Sequence, residues 1–193
     1  IPAGTYEFKA TVGGTWDENY GVNGEPGGPN VQFTTAGSET VHFYYDRRDS
    51  NMVASRPNYR IPVLVGNLMD EVGGADWSPD NLVGWLKDRD GDGWYTTSFN
   101  FPPGSYEYKV ALNESWDENY GQNGVPGGPN IPLVVPATAN EPTTVVTFRY
   151  NDTTHQIQDT INNPPAPQVG DNNIWWDGLG HNSRMYMFRQ PFG

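Results

Sequence analysis

No cysteine occurs in the 193 residues, so nothing in the chain is held by a disulfide and no thiol chemistry is available to it. Basic residues are scarce. Eleven Lys and Arg stand against 23 Asp and Glu, a formal charge of −12. That balance disfavours a nucleic-acid partner, whose phosphates need Lys and Arg, and disfavours docking on an anionic membrane. No apolar run approaches the length needed to cross a bilayer, and no secretory leader is seen. His42, His155 and His181 are too scattered for a zinc set. A neutral ligand is untouched by these exclusions.

What the chain does have is proline, glycine and aromatic rings. Seventeen prolines and 23 glycines point to short strands joined by turns rather than to helices. The dominant feature is an internal duplication. Trp16-Asp17-Glu18-Asn19-Tyr20-Gly21 returns unchanged as Trp116-Asp117-Glu118-Asn119-Tyr120-Gly121, and 18 of the first 30 positions are identical at an offset of 100 residues. A repeat of this length predicts two small domains. The chain opens inside a repeat, so it is expected to be a mature product or a piece of a longer one.

Each copy begins with a period-two pattern. Tyr6, Phe8, Ala10 and Val12 alternate with Glu7, Lys9 and Thr11, and the twin places Tyr106, Tyr108, Val110 and Leu112 on one side. Such alternation predicts a strand with one face on a core. The Trp-Asp-Glu-Asn-Tyr-Gly segment then favours a turn, and prolines 26 and 29 predict a loop rather than a central strand. Further strands are expected at Thr40–Tyr45, with Val41, Phe43 and Tyr45 on one side, at Val63–Val65, at Trp94–Phe99, and at Thr143–Tyr150 with Val146, Phe148 and Tyr150 inward. Ser78-Pro79-Asp80 is a helix-start signal, and Leu82, Trp85 and Leu86 are spaced for one short helix. Asn163 to Pro167 reads as an extended linker. Beyond it, the tail around Trp175 and Trp176 is expected to be disordered or packed on something else.

Three pieces together resemble a known family: Asp88-Arg89-Asp90-Gly91-Asp92-Gly93-Trp94-Tyr95, Pro102-Pro103-Gly104-Ser105-Tyr106-Glu107-Tyr108-Lys109, and the duplicated Trp-Asp-Glu-Asn-Tyr-Gly. They resemble the tandem accessory modules of bacterial pullulanases and amylopullulanases, secreted starch-degrading enzymes. Asp171 to His181 resembles the segment leading into the next module of such enzymes. The resemblance implies an all-β chain of tandem immunoglobulin-like antiparallel β-sandwiches, non-catalytic, extracellular and associated with α-glucan. Its extent divides the chain into 1–55 as the back half of one module, 56–61 as a connection, 62–161 as a complete module, and 162–193 as linker and tail. The first module has no counterpart of Val63 to Asn100, so it lacks its N-terminal strands. Residues 1–55 would then expose core side chains and open edges, which predicts self-association or strand complementation.

Candidate sites follow. Trp16, Tyr20, Trp116 and Tyr120 suit stacking on the apolar face of glucose rings, and Asn19, Asn119, Asp17 and Asp117 suit hydrogen bonds to hydroxyls. The same residues equally suit a structural turn, with the aromatics plugging the sandwich end and the polar groups bonding backbone locally. Trp77 and Trp85 are alternative platforms. Asp88, Asp90 and Asp92 with Gly93 reproduce the first half of an EF-hand-type calcium loop. Its twelfth place holds Phe99 instead of Glu, and Asp-Gly-Asp-Gly is also a ready hairpin turn. No other cofactor is expected.

No catalytic constellation is read. Asp117 and Glu118 are adjacent and point apart, while Ser183, His181 and Asp177 lie in the tail, without fixed geometry. The rival to a glucan-binding or spacer segment is a structural protein of a surface layer or filament, with the half module completed by a neighbouring chain.

Overall fold

A computed structural model of the chain describes residues 1–55, 60–139 and 141–164. The chain divides into two compact units, Ile1–Arg60 and Ile61–Gly193. Most of the 56–61 connection and the aromatic tail around Trp175 and Trp176 lie outside the described residues, as do Asp177, His181 and Ser183.

The first unit contains β1 (Gly4–Phe8), β2 (Ala10–Thr11), β3 (Asn19–Tyr20), β4 (Val31–Thr35), β5 (His42–Asp46) and β6 (Asn51–Ser55). β1 pairs antiparallel with β4, setting Tyr6 opposite Phe33. β2 pairs with β3, and β5 with β6. The alternation of Tyr6 and Phe8 against Thr5 and Glu7 survives as half-buried against exposed. Phe8, Phe33 and Phe43 meet edge to face at centroid distances of 4.9–5.8 Å. Phe33 is buried, yet Phe43 remains 56 % exposed.

The second unit contains β7 (Pro62–Gly66), β8 (Trp94–Phe101), β9 (Gly104–Leu112), β10 (Ser115–Tyr120), β11 (Ile131–Val135), β12 (Thr144–Asn151) and β13 (Ile157–Asp159). β9 is the centre of one antiparallel sheet, with β7, β10 and β11 as partners. The other sheet runs β13-β12-β8. All five residues of β7 are buried, which explains a continuous apolar run instead of alternation. Between the sheets, Phe148 meets Tyr108 at 5.0 Å and Phe101 at 5.9 Å, both edge to face. Val146, Phe148 and Tyr150 are fully buried, as their alternation predicts. Each such side chain contributes about 1.5–3 kcal/mol on burial. The architecture is all-β, and this unit is a β-sandwich.

The expected short helix contracts to one 3-10 turn, Leu82–Gly84, and no α-helix occurs among the described residues. Its cap is Asn81, whose side chain accepts the Val83 amide, while Ser78 bonds Asp80. The reason is tertiary. Trp85 bridges Val63 and Lys87 bridges Thr96, and the Leu86 amide donates to the Pro62 carbonyl. Backbone recruited into those bonds cannot continue a helix.

Candidate functional site

The duplicated loop keeps its backbone in detail. The Gly21 amide donates to the Glu25 carbonyl at 3.0 Å and the Gly121 amide to the Val125 carbonyl at 3.1 Å. Gly27 and Gly127 donate to the carbonyls of Asn19 and Asn119, at 2.9 and 2.8 Å. Asn23 and Asn123 both adopt left-handed backbone, with φ of 57° and 58°, a conformation that Asn tolerates better than most residues. At Gly21 and Gly121 a Cβ would stand 2.0 and 2.1 Å from the carbonyl oxygens of Pro29 and Pro129. No side chain fits there, so the repeated glycine is a packing requirement.

The hexapeptide, expected as a turn, is a bulged strand in the second unit, where Trp116 to Tyr120 lie in β10. Its side chains divide into an inward and an outward set. Tyr120 is only 6 % exposed. It stacks on His155 at 4.0 Å with the rings 9° from parallel, and its hydroxyl donates to Glu118 at 2.7 Å. That ring belongs to the core and presents no face to a ligand, because the sandwich end closes over it. Tyr20 is half-buried and donates to Glu18 at 2.9 Å. This bond is the main cause that raises its phenol above the ordinary range.

Asn19 and Asn119 turn back on the loop, donating through Nδ2 to the carbonyls of Trp16 and Trp116 at 2.9 and 3.0 Å. Asp17 exchanges hydrogen bonds with Thr15, and the Asp117 amide donates to Ser115. The polar residues of the motif therefore build the loop.

The tryptophans face outward. Trp16 is 69 % exposed and Trp116 is 40 % exposed. In the second unit Trp77, half-buried, lies beside Trp116, with ring centroids 6.5 Å apart and planes inclined by 32°. Trp77 and Trp116 thus join into one broader aromatic surface, a pairing between distant segments that no local sequence pattern announces. Trp85, the other alternative platform, is buried beneath the Lys87 ammonium, 4.7 Å from its ring centroid. It offers no surface.

Carboxylate oxygens of Asp88, Asp90 and Asp92 lie within 4.8 Å of one another. Asp88 accepts the Gly91 amide at 2.8 Å and the Gly93 amide at 3.1 Å, one on each oxygen. Asp92 accepts the Trp94 amide at 2.8 Å. These are the bonds of a turn feeding β8. Phe99, at the twelfth place, sits within β8 opposite Val146, so the second half of an EF-hand loop is not formed.

Fold and site together define an all-β accessory-type segment of two compact units, with outward tryptophans on a duplicated motif. The chain belongs to the family of the pullulanase X25 domain, whose model matches residues 1–52 and 61–157. It is 37 % identical over 199 aligned residues to an amylopullulanase of Thermoanaerobacter thermohydrosulfuricus, covering all of this chain and 13 % of that protein. With an amylopullulanase of Thermoanaerobacterium thermosulfurigenes it shares 35 % identity, again over its full length and 10 % of the relative. Among solved structures, pullulanase from Bacillus acidopullulyticus matches 65 % of this chain and 15 % of its own, at 34 % identity and a TM-score of 0.49. The chain thus spans only a small fraction of the length of the relatives it matches.

Proposed function

We propose that the chain is a non-catalytic accessory segment of a secreted, extracellular amylolytic enzyme, holding α-glucan on the outward tryptophans of its duplicated loop. The observation that carries this reading is the Trp77–Trp116 surface, with Trp16 as its single-ring counterpart in the first unit. A flat aromatic face matches the apolar face of a glucose ring, and Trp couples large contact area with little conformational freedom to lose. The net charge of −12 leaves a neutral polysaccharide unopposed. The amylopullulanase relatives support starch or pullulan as the glucan. Tyr20, Asn19 and Asn119 support the surface from behind by fixing the loop, and Tyr120 by anchoring it in the core.

Electrophoresis in native gels containing starch or pullulan tests the reading. The chain should be retarded, and Trp116→Ala should weaken binding about ten-fold, equivalent to about 1.4 kcal/mol. Trp16→Ala combined with Trp116→Ala should abolish the retardation while the unfolding transition is retained. A chain that no α-glucan retards is a spacer, and the binding role falls.

A further inference from the structure

A cleft of about 460 Å³ opens in the second unit between β11 of one sheet and β13 of the other. Its volume falls within the usual span of small-ligand sites, about 300–1,000 Å³. Neither Trp77 nor Trp116 lines it. Amides dominate the lining, with Gln122, Asn123, Gln156, Gln158, Asn162 and Asn163 all contributing. Asn162 is committed, donating to the Pro132 carbonyl at 2.9 Å and to Asp159 at 2.7 Å. The side chains of the other five make no hydrogen bond among the described residues. Ile131, Pro132 and Ile157 add an apolar wall. The ionisable groups of the lining are Tyr108 and Asp159, and they are bonded to each other.

The fold does not require those amides, because the first unit builds the same backbone without them. Its turn carries Val22 at the place of Gln122, and Asn23 and Asn123 share their left-handed conformation. β6 pairs with β5 as β13 pairs with β12, so that Met52 faces Tyr45 as Ile157 faces Tyr150. In that register Val53 and Ala54 stand at the places of Gln158 and Asp159. Apolar side chains therefore satisfy the same turn and the same strand pair. The polar lining belongs to the second unit alone and has no structural cause in the repeat.

We propose that this cleft binds a neutral oligosaccharide, as a second sugar site separate from the Trp77–Trp116 surface. An amide side chain presents donor and acceptor together, and a hydroxyl both donates and accepts, so the two pair without any ionic partner. The apolar wall suits the C–H face of a sugar ring. An anion would need Lys or Arg, which the described lining lacks. A hard cation would need several uncommitted oxygens of charged groups, whereas Asp159 is buried and already accepts from Tyr108, Ile161 and Asn162. That the sugar is an α-glucan rests on the function proposed above; the lining itself asks for a neutral polyhydroxylated chain.

The test is a titration of the isotope-labelled full chain with maltotriose, followed by nuclear magnetic resonance. Side-chain amide signals of Gln122 and Gln158 report the cleft, and the Trp116 indole N–H reports the tryptophan surface, so each site can fail without the other. The Gln122 and Gln158 signals should move with added sugar, equally at low and high salt. Gln122→Val combined with Gln158→Val installs the side chains of the first unit. It should weaken binding at the cleft about ten-fold, read from the Gln156 and Asn163 signals, while the Trp116 response and the unfolding transition are retained. Trp116→Ala should leave the cleft response in place. Three results overturn the proposal. One is a folded second unit whose Gln122 and Gln158 signals stay still at the highest soluble sugar concentration. Another is an unchanged cleft affinity in the double variant. The third is loss of the cleft response in Trp116→Ala, which would make the cleft part of the tryptophan surface.

Discussion

Tyr108 donates its hydroxyl to Asp159 at 2.7 Å across the interior of the second unit, joining the sheet of β9 to the sheet of β13. Asp159 is almost fully buried and also accepts the amides of Ile161 and Asn162 and the Asn162 side chain. The first unit has Phe8 in the place of Tyr108. Tyr108→Phe removes a bond to a carboxylate but leaves its other donors in place. A loss of about 1.5–3 kcal/mol is expected for the second unit, read from the urea midpoint at unchanged slope.

The same hydroxyl sets an alkaline limit. Burial, then the charge of Asp159, then the hydrogen bond to it, hold the Tyr108 phenol far above the ordinary tyrosine value. The unfolded chain releases that proton near pH 10 while the folded chain keeps it. This contribution to stability is therefore complete below about pH 10 and declines above it, by about 1.4 kcal/mol per pH unit. Unfolding followed from pH 8 to 11 should show that fall in the wild-type second unit and a shallower one in Tyr108→Phe.

Equivalent phenylalanines should differ sharply. Phe148→Ala empties a fully buried position between two aromatic neighbours and should cost about 3–5 kcal/mol. Phe43→Ala, at the aligned but exposed position, should cost below about 1 kcal/mol. Hydrogen exchange within each unit reports the two losses separately. Equal losses would contradict the difference in burial.

The aspartate turn is closed by backbone amides that donate to its carboxylates. Because Asp88 accepts two backbone amides, Asp88→Ala should destabilise the second unit by about 1–3 kcal/mol in buffer containing a chelator. Adding calcium to the wild-type chain measures any cation affinity directly, since an ion bound to the folded state raises the melting temperature by mass action. No rise is expected at millimolar calcium, because Phe99 supplies no ligand at the twelfth place.

Much of this molecule is written in local pattern. The all-β class and the strands of Tyr6, of Val63–Val65 and of Val146 to Tyr150 follow from period-two alternation or short apolar runs, which any sheet must satisfy to bury one face or both. The duplication is visible by inspection. Tertiary structure decided what local pattern leaves undetermined. The helix spacing of Leu82, Trp85 and Leu86 yielded to pairing with Val63 and Thr96, since backbone bonds to distant strands outweighed a weak local preference. Within one repeated hexapeptide, Tyr120 went inward because His155 closes over it, and Trp116 stayed outward beside Trp77. Two adjoining aromatics carry no sequence mark that says which will find a partner. Only closure of the chain brings His155 and Trp77 to them, and that closure separates the core ring from the surface ring.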